Sequence, residues 1–529
     1  MRLNYRELEN SEQWAKAGIA LPRFDRLAMI QAAKAAPQWI HFGAGNIFRA
    51  FPAVLAQSLL EQGHMRTGIV VAEGYDGEII DKCFAPFDNL SLAVTLKADG
   101  STDKRVIASV ASAHRMDREM DALRAIFASP SLQMASFTIT EKGYELTAQA
   151  AQDIQDGPGN PTTYLGRIAA LCHERYTHGA PPLALASMDN CSHNGDKLFA
   201  AVEVFAKGWA ENSLADAGFL EYVRNPKKLS FPWSMIDKIT PRPDEEVRKM
   251  LAAAGLEGVE GAVTEKNTYI APFVNAEETQ YLVIEDAFPN GRPPLEKTGV
   301  LFTDRETVDK VEKMKVCTCL NPLHTALAVF GCLLGYTRIS EEMKNPDLVK
   351  LIEGVGYREG LPVVVDPGII KPKEFIDTVI RARLPNPFMP DAPQRIACDT
   401  SQKIPVRFGE TIKAYLKGGA AGLSVNSLTL IPLVLAAWLR YLLGIDDKGT
   451  PFEVSPDPLY PSLKPMLAGI SLGQAGPFHA ALEPILSNSK IFAVNLYEAG
   501  LGEKVESYFG ELLAGPGAVA AALRKYAAP

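Results

Sequence analysis

The sequence predicts two main parts, an α/β N-terminal domain followed by a mostly α-helical C-terminal domain. At 529 residues the chain has room for roughly two to four domains or subdomains. Strand-like and helical runs alternate at first, a Pro- and Gly-rich segment follows at residues 285–299, and the later periodicity is mainly helical. We therefore predict a helical arm at residues 1–36, an α/β domain at residues 37–290 and a helical domain at residues 291–529.

Strands and helices are predicted to alternate along the α/β domain. The polar N-terminal arm is interrupted by AGIALPRFDR, and the apolar run QWIHF then predicts a strand, followed by a Gly-containing turn and an amphipathic helix. The next strand is GIVVAEG, which completes a βαβ unit. Further strands are predicted at LSLAVTL, RVIASV, MASFTIT and PPLALASMD, with helices at REMDALRAIFAS and DKLFAAVEVFAKGWAE. Such alternation favours a mostly parallel sheet covered by helices.

The C-terminal elements are helical. They include RETVDKVEKMKVCTCLNPLHTALAVFGCLLGY, PDLVKLIEGVG, PKEFIDTVIRARL and GPGAVAAALRKY. The longest apolar run, at residues 428–445, is only just long enough to cross a bilayer and contains Pro432 and Arg440. Because a charge near the middle of a bilayer is costly, this run is predicted to be a buried core helix, and no membrane partner is expected.

Composition and charge narrow the possible partners and location. The net charge is −8 and no Lys/Arg-rich run occurs, which argues against nucleic acid. A small anionic substrate stays possible, because a few well-placed cations can bind it. The seven cysteines are scattered and form no disulfide framework. The N-terminus carries charges where a signal peptide would be apolar, so a cytoplasmic location is predicted.

The turn GAGNIFRA is a candidate dinucleotide site. Gly43 and Gly45 would let the backbone approach a pyrophosphate, and the following helix would bind its charge, as in a Rossmann-type domain. We assign Asn46, Phe48 and Arg49 to the same cofactor site. The third small residue of the usual fingerprint is absent, since Phe48 stands there, so a plain tight turn is an equal alternative for the motif alone.

An acidic residue supports the nucleotide interpretation. Glu73 ends the second predicted strand, where its carboxylate could accept hydrogen bonds from an adenosine ribose. Asp76 competes for this role. An acid at either position would repel a 2′-phosphate, so the predicted cofactor is NAD rather than NADP.

Polar residues follow a later strand, in ASMDNCSHNGDK. Asp189, Asn190 and Asn194 come at the carboxyl end of this strand, where ligands of open α/β sheets bind. Carboxamides there could orient a substrate oxygen. The alternative is that these residues only form turns.

The stretch MKVCTCLNPLH is a candidate catalytic helix. A zinc site of Cys317 and Cys319 fails on a helix, because residues two apart point in different directions, and no known zinc spacing occurs. We therefore predict no metal. Asn321 and His324 share a helix face, and Lys315 lies upstream within reach of the same side. The alternative is that His324 is an ordinary core histidine whose hydrogen bonds are satisfied by the protein. This alternative is weakened because burying a lysine, an asparagine and a histidine together without a function costs free energy of desolvation.

This combination suits oxidation of a secondary alcohol. A base must take the hydroxyl proton while hydride leaves for a nicotinamide, and a lysine can do so when burial lowers its pKa. Carboxamides can stabilise the alkoxide. Lys315, Asn190 and Asn321 would supply these parts, and His324 would orient the substrate.

Several motifs together resemble a known family. IHFGAGNIFRAF, TITEKGY, SMDNCSHNG, SFPWSMIDKITP, KVCTCLNPLH and RLPNPFMPDAPQRIACDTSQKIPVRF occur in the order typical of the polyol-specific long-chain dehydrogenases, the family of mannitol 2-dehydrogenase and the hexuronate reductases. The resemblance covers about residues 37–445. It implies an NAD-linked, metal-independent enzyme with a Rossmann-type domain and a helical substrate domain. It also implies a monomer or weak homo-oligomer, as is usual for members of this family.

The resemblance also implies roles for individual residues. Lys315 is the implied acid/base residue, Asn190 and Asn321 are the implied oxyanion-stabilising pair, and His324 and Arg395 are implied substrate contacts. These assignments agree with the chemistry inferred above.

Two further points stay open. Asp237 is implied as a proton-relay or structural residue, with an ion pair to Lys238 as an equal alternative. The interval from Lys315 to Asn321 is six positions, whereas the family usually has five. Either a helix bulge absorbs the extra residue, or Lys315 is not the catalytic base. Because proline is tolerated in the first turn of a helix, the helix could also begin near Pro322, with Lys315 on the segment before it.

The resemblance suggests the substrate. GAGNIFRAF is closer to the hexuronate reductases, which implies reversible reduction of D-fructuronate to D-mannonate at the C5 keto group. Arg395, Lys403 and Arg407 are candidates for binding the carboxylate, although each could equally be a surface ion-pair residue. The alternatives are a mannitol-type polyol 2-dehydrogenase and a non-catalytic NAD(H)-sensing protein.

Overall fold

The computed structural model describes residues 1–419 and 422–527. It divides into two compact units, one of Met1–Leu96 with Ser101–Asp309 and the other of Lys97–Gly100 with Lys310–Pro529. The predicted boundary at residues 290–291 precedes this division.

Strands occur in the first unit. They are β1 (Ile19–Ala20), β2 (Trp39–Phe42), β3 (Ile69–Glu73), β4 (Ser91–Leu96), β5 (Thr102–Ile107), β6 (Val110–Arg115), β7 (Met134–Phe137), β8 (Leu183–Ser187), β9 (Leu229–Ser230), β10 (Ser234–Asp237), β11 (Ala262–Val263), β12 (Tyr269–Ile270), β13 (Phe273–Glu277), β14 (Tyr281–Glu285) and β15 (Leu301–Thr303).

Helices occur along the whole chain. The α-helices are α1 (Ser11–Lys16), α2 (Arg26–Ala35), α3 (Asn46–Ala50), α4 (Pro52–Glu61), α5 (Met120–Ala128), α6 (Ala150–Asp156), α7 (Tyr164–Thr177), α8 (Asn194–Glu211), α9 (Ala217–Arg224), α10 (Glu245–Ala253), α11 (Arg305–Met314), α12 (Asn321–Leu334), α13 (Ile339–Glu342), α14 (Pro346–Glu353), α15 (Pro372–Thr378), α16 (Pro393–Ile396), α17 (Thr400–Ile404), α18 (Glu410–Leu416), α19 (Leu430–Tyr441), α20 (Tyr460–Leu463), α21 (His479–Leu486), α22 (Ser489–Phe492), α23 (Gly502–Leu513) and α24 (Ala518–Ala527). Short π-helical segments are Ile80–Phe84, Lys315–Cys319, Gly354–Gly360, Val379–Arg383 and Pro405–Gly409.

A six-stranded sheet organises the first unit. Its strand order is β6-β3-β2-β7-β8-β9, and every neighbouring pair is parallel. Successive residues of β3 belong to two hydrophobic cores on opposite faces of the sheet. Val71 packs in one core, and Val70 and Ala72 pack in the other. The strand order reverses between β2 and β7, and the carboxyl ends of those strands therefore form the topological switch point where ligands bind. The predicted α/β class is confirmed.

The predicted strand RVIASV is two strands. β5 pairs with β4 in a second sheet of order β1-β5-β4-β13, whereas β6 pairs with β3 in the main sheet. Between them, the Ala108 N–H donates to Gln57 Oε1 at 2.7 Å and the Ser109 hydroxyl donates to the Ala53 carbonyl at 2.7 Å. Residues of α4 thus provide hydrogen-bond partners for the polar groups between β5 and β6. No local sequence pattern could indicate these distant partners.

The N-terminal arm is not purely helical. Within residues 1–36, Ile19 and Ala20 form β1, which pairs in parallel with Lys104 and Arg105 of β5. Two residues are too few to show a strand periodicity, so this element depends on tertiary pairing.

The second unit packs around α12 and α19. Eleven of the 14 residues of α12 are buried, and all 12 of α19 are buried. α12 packs against α14, α16, α19 and α24. The prediction that the apolar run at residues 428–445 forms a buried core helix is therefore confirmed. The continuous helical stretch Arg305–Leu334 is long and apolar enough to cross a membrane by composition, but 78% of its most apolar window is buried inside the protein.

A buried carboxyl group touches α12 at Gly331. Glu342 is 0% exposed, and a Cβ on Gly331 would lie 2.2 Å from its Oε1 atom. Neither carboxyl oxygen has a hydrogen-bond partner among the residues that the structure describes. Burial raises the pKa of Glu342 to about 9 from an ordinary 4.5, so this carboxyl is protonated at neutral pH.

Replacing Glu342 by glutamine should flatten the pH dependence of stability. Because the folded pKa is the higher one, the stabilisation is full below the unfolded pKa and is lost as the pH rises through the folded value, by at most ~1.4 kcal/mol per pH unit. Thermal unfolding midpoints should therefore fall between about pH 6 and pH 9 in the wild type and fall less in the variant. The exposed neighbour Glu341→Gln is the control. Parallel curves for wild type and Glu342→Gln would contradict the prediction.

Candidate functional site

The glycine turn after β2 lies at the switch point of the main sheet. Gly43 has a φ of 109°, and a Cβ there would lie 2.5 Å from the Thr138 carbonyl oxygen at the end of β7. Glycine is therefore required on both counts. A Cβ on Gly45 would meet no heavy atom within 4 Å, so the backbone before α3 faces open space. A pyrophosphate could approach at this point.

The helix after the turn differs from the prediction. It is broken at Phe51 into α3 and α4, because the residue before Pro52 is disfavoured in helical geometry. Phe48 is 0% exposed and stacks on the ring of His41 at a centroid distance of 4.3 Å. His41 is itself held by the hydroxyl of Ser136.

Arg49 is also a core residue. It is 1% exposed, and it donates to the Ala271 carbonyl at 2.7 Å and to Asn46 Oδ1 at 3.0 Å. The side chains of Phe48 and Arg49 are therefore not available to a cofactor in this structure, contrary to the prediction. Asn46 is half-buried beside the glycine turn, and its assignment to the cofactor site stays a prediction.

Glu73 joins the end of β3 to the glycine turn. Its Oε2 accepts a hydrogen bond from the Ala44 N–H at 2.8 Å, and its Oε1 accepts from Tyr75 at 2.8 Å and Asp76 at 3.0 Å. The Asp76 carboxylate instead accepts from the Thr264 hydroxyl at 2.6 Å. Of the two acidic candidates, Glu73 is the one beside the turn.

A buried acid lies at the carboxyl end of β8. Asp189 is 4% exposed and accepts hydrogen bonds from the Tyr144 hydroxyl and the Ile139 N–H. Burial raises the pKa of Asp189 to about 7. The Tyr164 hydroxyl is buried nearby without a partner in the described chain, and burial together with the charges of Glu73 and Asp189 raises its pKa. Tyr144 and Tyr164 were not expected from sequence, because only tertiary packing brings them to this strand end.

Asn194 has a structural role rather than the predicted role in substrate binding. It is 0% exposed, and its Nδ2 donates to the carbonyls of Asp189 at 3.0 Å and Ser234 at 3.1 Å. Its Oδ1 accepts from Ser234 N–H at 3.0 Å. The amide therefore ties β8 to β10 and is saturated by the protein. Asn190 is exposed just after β8, and Asp237 is buried at the end of β10.

In the second unit, a π-helical turn precedes α12. It spans Lys315–Cys319, the Leu320 N–H donates to the Lys315 carbonyl at 3.1 Å, and α12 then begins at Asn321 with Pro322 in its first turn. A π-helical bulge, one of the two alternatives for the six-position interval between Lys315 and Asn321, is thus present. Lys315 is 5% exposed. No group of three or more His, Cys, Asp or Glu residues that could hold a metal occurs in residues 1–419 and 422–527.

His324 lies one turn into α12 in a charged environment. Its buried Nε2 is 3.7 Å from Asp391 Oδ2 and makes no hydrogen bond with the described residues. Burial, with the positive charges of Arg407, Arg395 and Arg383, lowers the pKa of His324 to about 4, although Asp391 opposes the shift. The imidazole is therefore neutral at pH 7, with one nitrogen able to donate and one able to accept.

The predicted substrate cations differ in their partners. Arg395 is 62% exposed at its side chain and donates to Asp391. Lys403 donates to the carbonyls of Ile396, at 3.2 Å, and Cys398. Burial lowers the pKa of Lys403, and the charge of Arg407 lowers it as well. Arg383, which sequence reasoning did not select, is 4% exposed beside this group.

Family models match both parts of the chain. Residues 37–297 match the mannitol dehydrogenase Rossmann domain, and residues 307–512 match the mannitol dehydrogenase C-terminal domain. The chain belongs to the mannitol dehydrogenase family. The resemblance drawn from its sequence motifs is confirmed.

Curated relatives of this mannitol dehydrogenase family member are enzymes. The chain is 52% identical to the D-mannonate oxidoreductase of Thermotoga maritima over 531 aligned positions, covering 98% of each chain. It is 31% identical to the mannitol 2-dehydrogenase of Neosartorya fischeri, covering 86% of this chain and 88% of that one. The protein is a dehydrogenase that acts on CH–OH groups.

Solved structures of mannitol dehydrogenase family members share the fold. A D-sorbitol dehydrogenase in substrate-free form superposes with a TM-score of 0.79 at 25% identity, covering 96% of this chain and 98% of that one. The mannitol 2-dehydrogenase of Pseudomonas fluorescens, in a ternary complex with NAD and D-mannitol, gives 0.70 at 26% identity over 99% of each chain. The predicted fold class is confirmed at the level of the whole chain.

Proposed function

We propose that this protein is an NAD-dependent, metal-independent oxidoreductase that interconverts a keto-hexuronate and a hexonate, with D-fructuronate and D-mannonate as the favoured pair. The observation that carries the proposal is the 52% identity to a D-mannonate oxidoreductase across nearly the whole length of both chains. The relatives named for uncharged polyols are far less similar.

The charges around His324 support a sugar acid. The charges of Arg383, Arg395, Arg407 and Asp391 all act on this histidine. Arginine side chains near a neutral imidazole suit a substrate that carries its own negative charge.

The glycine turn and Glu73 support NAD. A Cβ on Gly45 would meet no heavy atom within 4 Å, which leaves room for a pyrophosphate at the switch point. The Glu73 carboxylate beside the turn accepts three backbone hydrogen bonds, and it would accept a fourth from a ribose hydroxyl and repel a 2′-phosphate. NAD, when bound, accepts or supplies the hydride. The residues of this chain supply binding, orientation and proton transfer.

We assign the proton transfer to Lys315. In oxidation its amine takes the proton of the substrate hydroxyl, and in reduction the ammonium returns that proton to the developing alkoxide. We assign the stabilisation of the alkoxide's negative charge to the carboxamides of Asn190 and Asn321. His324 orients a neighbouring hydroxyl, and Asp237 relays a proton or holds the structure around it. The π-helical turn accommodates the six-position interval between Lys315 and Asn321.

The test is NADH oxidation with fructuronate, tagaturonate and fructose in parallel, repeated with NADPH and with a chelator. We expect the highest kcat/KM with fructuronate and NADH, and no effect of the chelator. A preference for fructose would replace the proposal by a polyol 2-dehydrogenase. NADH binding without turnover of any sugar would indicate a sensor, and loss of activity with the chelator would overturn metal independence.

The proposal extends to location and assembly. All seven cysteines are free thiols, as is usual in a reducing compartment, and a cytoplasmic protein fits this state. We propose a monomer or a weak homo-oligomer, which size-exclusion chromatography over a range of concentrations would test.

A further inference from the structure

The carboxylate of the proposed substrate requires a cation with free donors. Arg395 already donates to Asp391, and its side chain is largely exposed. The Lys403 ammonium is engaged by two backbone carbonyls. Both residues have partners that a substrate would have to displace or share.

Arg407 has the contrasting environment. Its guanidinium is half-buried and has no carboxylate partner in the described part of the chain. Its one hydrogen bond runs from Nη1 to Thr325 Oγ1. Burial lowers the pKa of Arg407 to about 10, which shows that the surroundings disfavour an uncompensated charge. A bound anion would remove this penalty.

Thr325 fixes the direction of the guanidinium. The Thr325 hydroxyl donates its only proton to the Asn321 carbonyl at 2.9 Å, so its oxygen is left as an acceptor for Arg407. The Arg407 guanidinium, from the π-helical segment Pro405–Gly409, therefore lies beside the turn of α12 that carries Asn321 and His324. Because Nη1 donates to Thr325, the Nε and Nη2 atoms of Arg407 remain as a pair of donors. Their side-on arrangement matches the two oxygens of a carboxylate.

We propose that Arg407, held by Thr325, binds the substrate carboxylate and makes the enzyme select a sugar acid over an uncharged sugar. Arg407 is the specificity-determining residue, and Thr325 is a positioning residue. This inference rests on the proposed function, since it names the group that recognises the acid end of that substrate.

The test compares two substrates that differ at one carbon. Fructuronate carries a carboxylate where fructose carries a hydroxymethyl group. In Arg407→Gln we expect kcat/KM for fructuronate to fall about 10²–10³-fold, mainly through KM, because a charged hydrogen-bonded pair is lost. Fructose reduction should change by less than about threefold. Arg407→Lys should restore part of the loss, and Thr325→Val should lose about tenfold with fructuronate alone.

Control variants and binding measurements identify the cause. Arg381→Gln removes an exposed arginine of the same unit and should leave the substrate ratio unchanged. NADH affinity and the thermal midpoint should be wild-type in each variant. Equal losses with fructuronate and fructose in Arg407→Gln would make Arg407 merely structural and overturn the inference, as would a larger change of ratio in Arg395→Gln than in Arg407→Gln.

Failure of the proposed function gives a different result. If the wild type reduces tagaturonate but not fructuronate, the substrate pair is changed, and the ratio of tagaturonate to tagatose then tests Arg407 in the same way. If the wild type reduces only uncharged sugars and Arg407→Gln reduces them equally well, both the proposed function and this inference are overturned.

Discussion

Replacing Lys315 by methionine should lower kcat by about 10²–10⁴-fold in both directions of the reaction, the range typical for loss of a general acid/base. Methionine keeps the length and apolar stem of the lysine, and Lys315 is 5% exposed, so packing of the π-helical turn should persist. The proposed oxyanion carboxamides would stay, and they account for the residual rate. Steady-state kinetics with the preferred sugar and NADH would measure the loss.

The Lys315 prediction has a matched control and a chemical test. Lys313→Met, at an exposed position of α11 two residues away, should change kcat by less than about twofold. A small primary amine added to Lys315→Ala should recover part of the activity, because it replaces the missing proton acceptor. Wild-type kcat in Lys315→Met would show that another group transfers the proton.

Replacing Arg175 by methionine should destabilise the first unit by about 3–5 kcal/mol. Arg175 is 0% exposed in α7, and its guanidinium donates five hydrogen bonds of 2.7–3.0 Å to the backbone carbonyls of Phe127, Ser129, Leu132, Pro181 and Pro182. These carbonyls belong to the end of α5 and to the segments before β7 and β8. The variant would remove all five bonds, although the carbonyls of Pro181, Leu132 and Ser129 would each keep a second donor.

Urea unfolding followed by tryptophan fluorescence would measure the Arg175 effect. Arg175→Lys should retain part of the stability, because an ammonium has three donors instead of five. Arg167→Met, on the same helix with a single 3.2 Å bond to Pro161, should lower the free energy of unfolding by less than about 1 kcal/mol. An unchanged midpoint for Arg175→Met would mean that water replaces the guanidinium at these carbonyls.

Local patterns predicted the main sheet well. β2, β3, β7 and β8 are buried on both faces and therefore read as short continuous apolar runs, which the sequence displays directly. The prediction failed at β1 and at the break between β5 and β6, where pairing with distant strands decides the structure. Local sequence patterns contain no information about such distant pairing partners.

The candidate site was predicted in part. Residue type indicated the glycine turn and the acid at the end of β3, and the family's usual spacing made a bulge before α12 one of two alternatives. The side chains of Phe48, Arg49 and Asn194 are each buried by groups far away in sequence, and none of them faces a ligand in this structure. Residue type alone cannot distinguish a polar group that faces a ligand from one saturated by the protein.

The α/β and helical parts, the family, and the order of lysine, asparagine and histidine around the π-helical turn could all be predicted from the amino-acid sequence. These depend on periodicity and on short-range spacing. The three candidate cations are distinguished by tertiary packing: in the described chain Arg395 donates to a carboxylate, Lys403 to backbone carbonyls and Arg407 to a threonine hydroxyl. The physical reason is that desolvation and charge compensation are set by atoms that the chain brings together from distant positions.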